Sequence, residues 1–576
     1  MPGISSSRSL RITGIGILLT LAVLMAFGRS LWQGYAPIDD LWLLVQNPAI
    51  RGPTLQHLKT IFTTYDPELY IPLTYLSFQL NFLVSGPDPW SYHLVNLLLH
   101  AANAFLVLLL IRRITGRAGI AFFCSMVFAV HPLMTETVVW LLARKDLLAT
   151  FFSLSAILLS TAQPQTRTRY GMSLLCFFFA LLSKPSAVTL PFILLLLEMH
   201  RDRTDMRRIL RRLWPFLLLS GIALIIGTGG RPPDTDIVSP WLMAILPGRS
   251  VLLALRLFFL PTHFSPFYEV SPALTPFSLS ILLPFAGLLM ACALLFRAFR
   301  KQSPFALGAL FFLLALAPTW ASVTRSQTVF FTADHYLYFP SIGLLMVCAA
   351  GIGALLGSLR IRSWTVPTIV GGVILLLLML LSGRQARLWG SAETLFTAAV
   401  RTDPASVAAR TALAQIYREA EKPKEAFAVL TEGLRYGEDA RLHLAAGMVY
   451  AQTGQLADAR GQFLQAQTMD PRNPEPLFAL GSLEEQTGQP DSALAHFRQA
   501  LAMDPSYAAA RIGAGRILLA RGDLHGAEEE FRSALRWNVH LADAHRGMAR
   551  VLVRQGQADA AEEHRLWAEE IERYTK

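Results

Sequence analysis

Residues 364–393, WTVPTIVGGVILLLLMLLSGRQARLWGSAE, pass from apolar to polar sequence within thirty positions. Positions 364–382 carry no acidic or basic side chain, the length and composition of a membrane-crossing helix. From Arg384 onward charged residues recur every few positions, with no further long apolar run. The chain is therefore expected to divide here. Residues 1–383 should form a membrane bundle, 384–406 a connecting helix, and 407–576 a water-exposed array.

N-terminal to this point the apolar runs recur. Spans are expected near 11–28, 92–111, 119–139, 146–161, 171–183, 187–200, 213–229, 275–296, 304–323, 336–356 and 364–382, about eleven in all. Two further apolar stretches, 69–84 and 242–261, would need both ends on one face and read as interfacial or re-entrant helices. No small-x-small cleavage site comes after 11–27, so the first span is expected to be retained. Alternate loops are basic: Arg112, Arg113 and Arg117; Arg167 and Arg169; residues 201–212; Arg297, Arg300 and Lys301; Arg360 and Arg362. Placing these loops in the cytoplasm puts loops 29–91, 140–145, 230–274 and 324–335, and the C-terminal array, on the other side. The expectation is a multi-pass protein of the cell inner membrane with its array in the periplasm. In a eukaryote it becomes an endoplasmic reticulum protein with a lumenal array.

The 576 residues are 53% hydrophobic and 16% charged, against about 25% charged in soluble domains. The formal net charge of +11 comes largely from loop arginines, so it argues for membrane sidedness and against nucleic-acid binding. Cys124, Cys176, Cys292 and Cys348 all lie in apolar runs without metal-ligand spacing. No P-loop, dinucleotide fingerprint, zinc signature or serine-hydrolase elbow appears, which argues against ATP- and NAD-dependent chemistry.

C-terminal to the boundary the sequence repeats itself every 34 positions. Gly454, Gly488, Gly522 and Gly556 share this spacing, as do Ala459, Ala493, Ala527 and Ala561. Phe463, Phe497 and Phe531 keep it too, with Ala466, Ala500 and Ala534. This is the tetratricopeptide (TPR) period, and a degenerate copy with Leu413, Tyr417 and Ala426 precedes it, for about five repeats. The fold class is thus all-α: a polytopic membrane bundle followed by a TPR α-solenoid. Such an array has no chemistry of its own. Its groove is expected to bind a protein acceptor or partner, the alternative being a pure scaffold.

Chemistry is therefore sought among polar residues at membrane depth or at the outer surface, where they are expensive to keep. Asp39-Asp40, followed by Gln46-Asn47-Pro48, can supply a general base or hold a metal; alone, such a pair is also an ordinary solvated turn. His93, Asn96 and His100 share one face of a span, and packing between helices explains them equally well. His131, Glu136, Arg144, Lys145 and Asp146 surround one hairpin end. Arg144 and Lys145 there suit a phosphate, unless Arg144 pairs internally with Glu136 or Asp146. Lys184 reads either as a snorkelling lysine or as one facing a lipid phosphate. Arg325, Asp334 and His335 sit before a span whose tyrosines also fit an aromatic belt.

Six passages carry a resemblance: DD…NP (39–48), IPLTYLSF (71–78), YHLVNLLLH (92–100), FAVHPLMTETVVWLLARKDLLAT (128–150), LLSKPSAVTLPFILLLLE (181–198) and ADHYLYFPSIG (333–343). In this order, and joined to TPRs, they resemble the transmembrane and TPR-containing O-mannosyltransferases and their bacterial relatives, glycosyltransferases of the GT-C fold. The likeness spans nearly the whole chain. It departs at Ile71, where the family commonly has arginine, and at Asp334-His335, where it often has Glu-Arg. The resemblance implies transfer of a sugar from a polyprenyl-phosphate donor to a hydroxyl, typically a protein Ser or Thr, on the non-cytoplasmic face. It implies Asp39 and Asp40 as the catalytic site. Arg144, Lys145 and Lys184 are then expected at the departing phosphate, and inversion is expected at the anomeric carbon. No cofactor is demanded; a divalent cation, Mg2+ or Mn2+, at Asp39 and Asp40 is left open. Two rivals stand beside this reading: a membrane-anchored TPR scaffold without catalysis, and a transferase acting on a glycan or lipid.

Overall fold

The structure, a computed structural model, describes residues 3–36, 38–65, 69–201, 206–229, 240–269, 279–324, 330–358 and 365–573. Two compact units result. One comprises Met1–Ala36, Leu58–Arg231 and Asp236–Gly390; the other comprises Pro37–His57, Pro232–Thr235 and Ser391–Lys576.

The helices that build the first unit, or lead into it, are α1 (Gly3–Phe27), α2 (Leu55–Thr63), α3 (Pro72–Ser85), α4 (Trp90–Thr115), α5 (Ala118–Val130), α6 (Thr135–Val139), α7 (Arg144–Ser160) and α8 (Arg167–Ser183). They continue as α9 (Leu190–Arg201), α10 (Met206–Gly229), α11 (Pro240–Phe259), α12 (Leu279–Arg300), α13 (Pro304–Leu316), α14 (Ser341–Ser358) and α15 (Thr365–Leu388). A small antiparallel pair, β1 (Tyr268–Glu269) and β2 (Phe330–Thr332), aligns Tyr268 with Thr332 and Glu269 with Phe330. α4 packs on α1, α5 and α7; α7 pairs with α8, and α13 with α14.

Each of the eleven expected spans contains a helix, yet fewer are long and apolar enough to cross a membrane. Among the described residues six qualify, in α1, α4, α10, α12, α14 and α15. α5 with Pro132–Val139, bent by 51°, makes a seventh. α7 and α8 have 17 residues each, α9 has 12 and α13 has 13, against the roughly 20 a bilayer requires. These short helices bury Ile157, Phe177, Ile193 and Phe311 fully, while Leu175, Phe192 and Phe305 on three of them are exposed. The outward faces of α10 and α15 expose Ile225 and Leu380, as lipid contact requires. The expected re-entrant stretch 69–84 contains α3, only 14 residues long.

The second unit contains α16 (Ala392–Thr402) and five antiparallel pairs. These are α17 (Val407–Glu419) with α18 (Pro423–Tyr436), α19 (Ala440–Gln452) with α20 (Leu456–Met469), and α21 (Glu475–Gln486) with α22 (Pro490–Met503). α23 (Ala508–Ala520) with α24 (Leu524–Trp537), and α25 (Ala542–Arg554) with α26 (Ala558–Glu572), complete the array. The glycines spaced by 34 hold φ between 77° and 83° in the turns inside the last four pairs. The repeated alanines are buried where the two helices touch, and Phe497 and Phe531 are fully enclosed. Of the expected connecting segment, 384–388 completes α15, while α16 packs against α17.

Candidate functional site

The polar side chains of the first unit gather where its helices break. α5 stops at Val130 because Pro132 offers no amide donor. The His131 ring then caps the next turn, accepting from Leu133 N at 3.1 Å. Two short turns and α6 intervene before α7 begins at Arg144. This run of brief elements places Glu136, Trp140, Lys145 and Asp146 close together.

Three pairs define the site. Lys184 Nζ lies 2.5 Å from Asp146 Oδ1 and 5.1 Å from the centre of the Tyr336 ring. Glu136 Oε1 lies 2.7 Å from His335 Nδ1, and Glu136 Oε2 accepts from the His335 amide at 3.3 Å. Tyr268 donates its hydroxyl to Asp334 at 2.7 Å. The β1–β2 pair explains that last contact, since β2 leads directly into Asp334. Six ionisable side chains here, Glu136, Asp146, Lys184, Asp334, His335 and neighbouring Lys145, are less than 10% exposed.

Lys145 differs from the others. It forms no ion pair with any described residue, and its Nζ lies 5.3 Å from the centre of the Trp140 ring. The same indole presents an edge to His335 at 5.3 Å. A buried cation supported by an aromatic face, with no carboxylate committed to it, is suited to an external anion. A narrow cavity at the Lys184–Asp146 pair is lined by Asp146, Thr150, Lys184, Ser186, Thr319 and Tyr336, among others.

Arg144 occupies a different environment. It is fully buried, and its guanidinium donates to Asn96 Oδ1 at 2.8 Å, to the Tyr92 carbonyl at 2.8 Å, and to Asn81 and Ser77. It also lies 4.3 Å above the Phe78 ring. Neither Glu136 nor Asp146 pairs with it. These bonds hold α3 and α4 to the start of α7. His93 is buried with Nε2 3.4 Å from the Gly34 carbonyl, and His131 stacks on Phe258.

Asp39 is half-buried and Asp40 fully buried. Both belong to the second unit, with the segment 37–57, whereas Lys145 and Lys184 belong to the first. Arg325 lies outside the described residues. Among the described residues no three His, Cys, Asp or Glu side chains converge to hold a metal ion. Sequence reasoning does not find Tyr268, because only the strand pairing brings it to Asp334, 66 positions away. Nor does it give Trp140 a role; the available cue is a separation from Lys145 of little more than one helical turn.

Residues 70–228 match the family model for dolichyl-phosphate-mannose-protein mannosyltransferase, and residues 381–435, 421–474 and 478–538 match tetratricopeptide repeats. The human protein O-mannosyl-transferase TMTC1 is 26% identical over 482 residues, covering 72% of this chain and 54% of that protein. Protein O-mannosyl-transferase F38B6.6 of Caenorhabditis elegans is 24% identical over 426 residues, covering 69% and 59%. The chain therefore spans little more than half the length of these relatives. The TPR protein YrrB aligns at 21% identity over 32% of this chain and 94% of its own, with a TM-score of 0.24. The membrane half carries a mannosyltransferase-family match, the C-terminal part carries TPR repeats, and over most of its length this chain is homologous to the protein O-mannosyl-transferases.

Proposed function

We propose that this chain is a membrane glycosyltransferase that moves a sugar from a polyprenyl-phosphate donor to a Ser or Thr hydroxyl of a protein. One observation carries the reading. The segment similar to mannosyltransferases, 70–228, contributes two buried lysines, Lys145 and Lys184, one without a counter-ion among the described residues, to a bundle whose buried side chains are mostly apolar. Bundles do not retain such charges without a use for them.

In the proposed reaction, Asp39 or Asp40 takes the proton from the acceptor hydroxyl. The oxygen attacks the anomeric carbon from the face opposite the phosphate. The bond from that carbon to the phosphate oxygen breaks, its electron pair leaves with the polyprenyl phosphate, and configuration inverts. Lys145 stabilises the charge developing on the phosphate, and Lys184 contributes while sharing its own charge with Asp146. The two rings over these lysines limit water at the site. No step is routed through a metal. The TPR groove presents the polypeptide acceptor. Loop charges favour the non-cytoplasmic face for the acidic loop and the array: the periplasm for a bacterial inner membrane, the lumen for an endoplasmic reticulum membrane.

The test compares wild type with the Asp39→Asn/Asp40→Asn double variant for sugar transfer to endogenous envelope proteins, read by intact-protein mass spectrometry. Hexose-sized mass added by wild type alone is expected. Equal spectra for a folded double variant would refute the base assignment. Transfer to a glycan or lipid with no glycoprotein would move the acceptor to that class.

A further inference from the structure

The acidic loop is built into the repeat array. Asn47 caps the turn Pro48–Ile50, accepting from Ala49 N at 2.9 Å. That turn packs on α26, and Ala49 and Ile50 are each 2% exposed. On the helix side Ala568 and Ile571 are buried as well. His57 sets its ring edge against Trp567, with ring centres 6.4 Å apart.

Arg51 locks this contact. Its side chain is 3% exposed and donates to Glu570 Oε1 at 3.1 Å and to the Ile571 carbonyl at 3.3 Å. The last carbonyls of a helix lack intrahelical donors and carry the negative end of its dipole, so a guanidinium is well matched there. The same group donates to the Val45 carbonyl at 2.7 Å. Val45 ends the single helical turn Leu41–Val45, which begins one residue after Asp40. A backbone hydrogen bond of that turn, from Leu43 N–H to the Asp39 carbonyl at 3.0 Å, reaches the other acid. One side chain thus ties the backbone bearing Asp39 and Asp40 to the end of α26.

We infer that Arg51 is a positioning residue, with Glu570 as its partner: through it the α25–α26 repeat sets the placement of the acidic pair, so the array acts on catalysis as well as on acceptor binding. This rests on the proposed role of Asp39 and Asp40.

The experiment uses the full-length protein in membranes with variants Arg51→Met, Arg51→Lys and Glu570→Gln. Two quantities are read: hydrogen-exchange protection of residues 41–57, and kcat and KM for a polyprenyl-phosphate sugar. Arg51→Met should lose protection in 41–57 and lower kcat by about 10- to 100-fold, the scale of a small misplacement, at unchanged donor KM. Arg51→Lys should recover part of the rate, and Glu570→Gln should show a weaker form of both effects. Unchanged protection in Arg51→Met overturns the inference, as does lost protection with full kcat while Asp39→Asn/Asp40→Asn is inactive. If that double variant also transfers at the full rate, the catalytic assignment of the loop has failed, and the inference with it.

Discussion

Arg144 and Lys145 are neighbours in sequence and opposites in structure. Arg144 donates to Asn96, Asn81, Ser77 and Tyr92 from a fully buried position. Lys145 has an aromatic ring and no counter-ion among the described residues. Substitution should separate them. Arg144→Met leaves several buried acceptors unpaired, at about 1–3 kcal/mol each, and should abolish the monodisperse folded species in size-exclusion chromatography. Lys145→Met removes only a ring contact from the resting protein. It should keep the folded species and its thermal midpoint while lowering kcat about 10²-fold, as expected when one fixed charge is lost from a transition state. Full activity in Lys145→Met would exclude it from the phosphate site. Sequence alone does not distinguish the two, because Arg and Lys side by side near a hairpin end have the same reading. Burial and the Asn96 and Asn81 acceptors, 48 and 63 positions away, make the difference.

At the scale of elements, the α25–α26 pair carries an unusual histidine group. His545 Nε2 donates to the Val539 carbonyl at 3.0 Å, which leaves Nδ1 as an acceptor 2.8 Å from His564 Nδ1. Its ring stacks on Trp567. Protonating His545 would set two N–H groups against each other. Burial pushes His545 and His540 down to about 4; His545 and then Arg51 add to the effect on His540, while on His545 the Val539 carbonyl opposes the shift and His564 adds to it. His564 is lowered too, again by burial first; Glu563 opposes that shift and Arg532 supports it. Between pH 4 and pH 6.5 the unfolded chain therefore binds more protons than the folded repeat. Stability is complete above about 6.5 and falls as the pH drops toward 4, by up to roughly 3 kcal/mol for His545. Exchange protection of 541–572, corrected for intrinsic rates, should drop between pH 7 and pH 5, and His545→Gln should flatten that dependence. The repeats themselves were legible because identical contacts recur: a side chain added at Gly481 would come within 2.7 Å of the Phe497 ring, and Gly447 and Gly515 stand at the same 34-residue offset. The histidine group has no period, and only the folded pair shows it.

For the whole molecule, hydropathy alone predicts the division between lipid-solvated and water-solvated sequence, since residues 364–382 differ so sharply from residues 384–406. It did not settle the number of crossings. Phe177 and Ile193 are as apolar as Ile225 and Leu380, yet the first two face protein and the last two face outward. Composition reports burial, and the burying medium is shown only by length and position. Sidedness depends on parity. Six crossings would return the array to the side of the N-terminus, whereas seven, counting the bent α5 to Val139 segment, place it opposite. Six crossings keep the loop arginines on the N-terminal side, whereas seven carry the end of α12 to the other side. Arg112 and Arg113 end α4, Arg117 precedes α5, and Arg297 and Arg300 end α12. An array opposite the N-terminus, with all of these arginines on the N-terminal side, requires the eleven-crossing topology expected from the sequence, in which α5, α7, α8, α9 and α13 cross as well. Single cysteines introduced at the exposed Gln465 of the array and at Ser5 near the N-terminus, in a background lacking the four native cysteines, should therefore label differently in intact cells. A membrane-impermeant maleimide is expected to modify the array position before permeabilisation and the N-terminal one only afterward. Labelling of both before, or of neither, would make the count even and place the acceptor-binding groove on the cytoplasmic side, away from the face proposed for transfer.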